Sequence, residues 1–92
     1  MTNEIFVDTQ NAIRAECDAL CEMLLAKNRA YGDSAVNPIR IFSKSSTEEQ
    51  ILVRLDDKLS RLARGTGKET EDVISDILGY LILLRVARRK TL

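Results

Sequence analysis

At 92 residues and 10.4 kDa the chain is one domain near the lower end of what a single core sustains, and 45% hydrophobic with 30% charged residues is the balance of a soluble globular protein. Its 14 basic and 14 acidic residues cancel, which removes the basic excess a nucleic-acid binder normally shows. There is no His, hence neither the commonest metal ligand nor the commonest general base, so any catalysis must run on carboxylates with a metal ion.

The first predicted helix spans residues 4 to about 30. Ile13, Cys17, Leu20, Cys21 and Leu24 recur at helical spacing and form an apolar stripe, and Gly32 supplies a stop. Cys17 and Cys21 lie one turn apart on that stripe, a poor geometry for a disulfide, and no further soft ligands are available for zinc. They are expected to be small core thiols in a reducing compartment. Glu4 and Asp8 interrupt any signal-peptide pattern, so a cytoplasmic location is expected.

Residues 27–46, KNRAYGDSAVNPIRIFSKSS, follow as a long loop between helices. Tyr31, Ile39, Ile41 and Phe42 are too much apolar material for a disordered linker, which predicts an ordered loop with a function. Tyr31 and Phe42 have two readings, as ligand-facing groups or as anchors of the loop to the core. IRIF is strand-like, but one isolated strand cannot make a sheet.

Ser46 with Glu49 forms a capping box that starts the second helix, in which Ile51, Leu55, Leu59 and Leu62 are the expected buried stripe and Gly65 the end. A second box, Thr66 with Glu69, places the start of the third helix, which closes on a basic turn suited to the helix dipole. The resulting fold class is all-α: a small bundle of three main helices with a long ordered loop between the first and second. From Ile77 the third helix, ILGYLILLRVA, is apolar nearly all round and needs cover on every side. A homodimer or homotetramer is therefore expected to complete the bundle. The uncharged run from Ile77 to Leu84 is far short of a membrane span, and no membrane partner is expected.

The acids are the candidate chemistry. Asp72 and Asp76 are one turn apart on the third helix with Tyr80 one turn further, at the edge of the apolar stripe. A carboxylate there needs compensation from a cation. On the second helix, in RLDDKLSRLARG, Asp56 is expected to face the core flank beside Ser60, and Asp57 to lie outward near Arg54 and Arg61. Structural readings stand beside the functional one: Asp57 and Arg61 as an ordinary ion pair, Asp72 as a partner of the helix dipole. Glu16, Asp18 and Glu22 read as a solvated face. GTGKET resembles a phosphate loop but lacks both the spacing and the preceding strand.

KNRAYGDS, RLDDKLSRLARG and EDVISDILGYLILL, in that order over roughly residues 20 to 86, resemble small phage and prophage proteins of the nucleotide-modification-associated type, relatives of the MazG-like all-α NTP pyrophosphatases. The resemblance implies Mg²⁺, or Mn²⁺ in its place, and cleavage of an NTP to NMP and pyrophosphate. It implies metal ligation by Asp56, Asp57, Asp72 and Asp76, with Asp57, Lys58 and Asp76 in catalysis. Ser60 replaces the third Glu of the family's E-E-x-x-E motif, and the second motif is widened by one residue. Lys27, Asn28, Tyr31, Arg40, Arg61 and Tyr80 would bind the nucleotide, Tyr31 by stacking on a base and Lys58 and Arg61 by neutralising phosphate. If phage-encoded, the protein would act in the host cytoplasm. Two rival readings remain: an inactive helical oligomer that binds nucleotide or a protein, and a nucleic-acid module using Arg85, Arg88, Arg89 and Lys90. The latter cations stand where a helix C-terminus attracts them anyway, so no nucleic-acid partner is expected.

Overall fold

The computed structural model describes residues 2–65 and 70–90. Three helices carry the fold: α1 over Thr2–Ala30, α2 over Thr47–Arg64 and α3 over Thr70–Lys90. There is no strand among the described residues, IRIF included. The predicted Thr66–Glu69 box lies outside the described residues. The Ser46 hydroxyl accepts the Glu49 backbone N–H at 3.0 Å, so α2 begins where its cap predicts.

α3 is the central element. α2 packs antiparallel along it, as Glu48–Arg88, Arg54–Tyr80 and Lys58–Asp76 pair in reverse order. Ile51, Leu55, Leu84 and Ala87 form the core between them, flanked by Leu52, Ile77, Tyr80 and Leu83. Ile51 is the most deeply buried side chain, and its burial contributes about 2 kcal/mol. The expected stripe on α2 holds for Ile51 and Leu55 only. Leu59 and Leu62 are exposed, because α2 turns Lys58 toward α3 instead.

α1 meets α3 through its C-terminal turns. A Cβ at Gly79 would stand 2.9 Å from Leu24 Cδ2, so the missing side chain is what lets the two helices approach there. The N-terminal half of α1 finds no such neighbour and extends the molecule to 58 Å in its long dimension. Ile5, Phe6, Val7 and Ile13 are exposed. Cys17 and Cys21 are free and exposed, which corrects the expectation of core thiols: the stripe of α1 is covered only where it reaches Leu20, Met23 and Leu24.

The loop after α1 opens with a Schellman-type cap. Asp33 N–H bonds the Asn28 carbonyl at 3.1 Å and Gly32 takes φ 60°. Asp33 itself has φ 62°, and its carboxylate accepts from Asn28 Nδ2 at 2.8 Å and from Asn37 Nδ2. Those bonds, that from Asn37 first, hold its carboxyl below the ordinary value. Val36 is the buried apolar anchor of this loop; Phe42, at 96% exposure, is not. No helix among the described residues is long and apolar enough to cross a membrane.

Candidate functional site

The groove forms where the three helices converge. Lys27 comes from the last turn of α1, Lys58 from the middle of α2 and Asp76 from the first half of α3. Lys27 Nζ lies 3.3 Å from one Asp76 oxygen and Lys58 Nζ 3.0 Å from the other. Asp76 is thus the knot of an ionic triad joining all three helices. Burial pushes its carboxyl up, but the hydrogen bonds and charges of Lys58 and Lys27 outweigh that and leave it below the ordinary value.

Around this triad lies a cavity of about 510 Å³, within the range of small-molecule sites. Asn28 and Tyr31 line it from the end of α1 and its cap, Arg54 from α2, and Gly79 and Tyr80 from α3. The only two tyrosines of the chain therefore face one space. Tyr31 is mostly exposed, which leaves its ring face open. Arg54 donates from Nη1 to the Tyr80 hydroxyl at 3.5 Å. With Lys27, Arg54 and Lys58 against Asp76 and Asp33, the walls favour an anion.

Of the side chains picked out in the sequence, Lys27, Asn28, Tyr31, Lys58, Asp76 and Tyr80 come together here. Arg40 does not; its guanidinium donates to Thr47 Oγ1 at 2.7 Å and ties the loop to the start of α2. Arg61 and Asp57 line an adjoining cavity. Asp56 is exposed instead of facing the core flank, since α2 points Lys58 inward and Asp56, two residues earlier, is nearly opposite it on the helix. Asp72 is exposed in the first turn of α3, where a carboxylate complements the dipole.

The four acids therefore do not gather into one centre. Among the described residues no group of three or more Cys, Asp or Glu side chains is placed to hold a metal ion. A Mg²⁺ ion requires free carboxylate oxygens, and both oxygens of Asp76 already hold a lysine ammonium. The donor set does not fit Mg²⁺ or Mn²⁺, which corrects the ligand set of Asp56, Asp57, Asp72 and Asp76. Arg54 was the residue overlooked in the sequence. It lies one turn before Lys58, so the face that carries one carries the other. Asp33 and Gly79 gave no comparable signal, because their part depends on how α1 and its cap meet α3.

No protein family matches the chain, and no curated protein or solved structure is significantly similar to it.

Proposed function

We propose that this chain binds a nucleotide in the three-helix groove, with phosphate against Lys27, Lys58 and Arg54 and the base against Tyr31 or Tyr80. The observation that carries this is the convergence of both tyrosines with a cation from α1 and two from α2 on one cavity. Ammonium and guanidinium groups are phosphate donors, and aromatic faces stack on any base. The resemblance in sequence to MazG-like proteins supports the same ligand class. Its hydrolytic half is not adopted, because the acids it would use lie apart and Asp76 is engaged by two lysines.

Assembly belongs to this reading. Ile74, Leu78, Leu81, Ile82 and Val86 are exposed along α3, and Ile5, Phe6, Val7 and Ile13 along α1. Apolar surface of that continuity marks an interaction face. The occupant we infer is a second copy. Residues 1–26 carry Glu4, Asp8, Glu16, Asp18 and Glu22 against Arg14 alone, so the α1 arm is acidic and the rest of this neutral chain correspondingly basic. An acidic arm with an apolar stripe complements the basic end of α3 on another copy.

Calorimetric titration with deoxynucleoside phosphates, in EDTA and again in Mg²⁺, tests the reading. Binding is expected in EDTA, weakened by Tyr31→Ala, Tyr80→Ala and Lys58→Gln, the tyrosine variants by about tenfold. No binding in either buffer overturns the proposal. Pyrophosphate release that needs Mg²⁺ and disappears in Asp76→Asn would restore the metal-dependent hydrolase.

A further inference from the structure

A second cavity, of about 490 Å³, opens beside the groove and shares Arg54, Lys58 and Tyr80 with it. The two spaces are therefore continuous across the seam between α2 and α3. Beyond the shared residues the second is lined by Arg61 and Arg64, with Asp57 as its carboxylate. Positions 54, 58, 61 and 64 recur at three- and four-residue spacing, which puts four cations on one face of α2 over about 15 Å. In a chain of zero net charge this is a local concentration of positive potential, and it leads directly out of the nucleotide groove.

Resting on the nucleotide reading, we propose that this face is a second anion subsite, which takes the phosphoryl groups beyond the first of a nucleoside di- or triphosphate. Three of its four cations are arginines, whose planar fork matches two phosphate oxygens at once. Cations lined up along a helix can each meet a successive phosphoryl group, whereas a solitary lysine meets one. The face thus supplies the charge neutralisation that a divalent ion would otherwise give, from the same helix on which Asp56 and Asp57 fail to build a metal centre. Asp57 sits one turn from Arg61 and holds the near end of the row open to one anion at a time.

The test compares nucleoside mono-, di- and triphosphate with inorganic tripolyphosphate, all in EDTA, for the full chain and for Arg61→Gln and Arg64→Gln, with circular dichroism to verify folding. Exposed charge pairs are individually weak, so affinity is expected to tighten about threefold per added phosphoryl group at low salt, and less at high salt. Each arginine variant is expected to lower the ratio of triphosphate to monophosphate affinity. Equal affinity for mono- and triphosphate, or a gain seen only with Mg²⁺, overturns the subsite while leaving the groove intact. Tripolyphosphate binding that the arginine variants lose, with no nucleoside phosphate binding more tightly than it, keeps the subsite and sinks the nucleotide reading. Single-stranded DNA held more tightly than triphosphate, and weakened by both variants, makes the face a nucleic-acid surface and overturns the subsite.

Discussion

Replacing Asp76 with Asn separates the lysine-clamp reading of the groove from a metal-centre reading. The change preserves shape and removes the charge that holds Lys27 and Lys58. The bond to Lys27, at 3.3 Å with the lysine half-exposed, is worth a few tenths of a kcal/mol, and that to Lys58, at 3.0 Å and more enclosed, up to about 1 kcal/mol. A loss of about 1 kcal/mol is expected at neutral pH, which at fixed protein concentration lowers the urea midpoint by about 1 M. The pH dependence has a definite sign. The folded carboxyl lies below its unfolded value near 4, so its contribution is complete above that value and is lost as pH falls through the folded one. The gap between wild type and Asp76→Asn should therefore close on acidification. The same variant frees two ammonium groups and should tighten metal-free nucleotide binding severalfold. A variant as stable as wild type at pH 7, a gap that persists at acid pH, or weakened binding in EDTA would each refute the reasoning.

Ser46→Ala removes the hydroxyl that receives the Glu49 N–H and should cost about 1 kcal/mol in denaturant unfolding, with Ser46→Thr largely neutral. Gly32→Ala forces a side chain into a left-handed residue with open space around it, so backbone strain alone should cost about 1 kcal/mol; a neutral result would mean that the cap is not held in that conformation. Phe6→Glu with Ile13→Glu should reduce the mass measured by light scattering toward one chain. In wild type, modification of Cys17 and Cys21 by a thiol reagent should slow as protein concentration rises, because both lie on the stripe a second copy would cover. A single-chain mass at every concentration counts against assembly.

Helical content and the start of α2 were legible because their causes are local. Apolar spacing, the Ser46 cap and Gly32 act within a few residues, and each stands where its chemistry requires. The site was legible in part for the same reason: Lys27 with Tyr31, Arg54 with Lys58, and Asp76 with Tyr80 each lie one turn apart, so the helix alone puts each pair on one side. What one residue type on one face cannot reveal is the partner opposite. Asp76 looks like a metal ligand until Lys27 and Lys58 arrive from two other helices. Asp56 looks inward-facing until the rotation of α2 sends Lys58 there instead.

The amino-acid order by itself determined that this chain makes three helices, where the second begins and which residues share a helical face, since hydrogen bonding within a turn and a period of 3.6 residues need no knowledge of the rest of the molecule. Tertiary structure alone decided that Tyr31 and Tyr80 meet across one groove, that Gly79 lets α1 close upon α3, that Cys17 and Cys21 stay in solvent, and that the cation beside Asp76 is lysine. Charges separated by as many as 49 positions have no interaction until the chain is folded, and which opposite charge reaches a carboxylate first is a matter of packing.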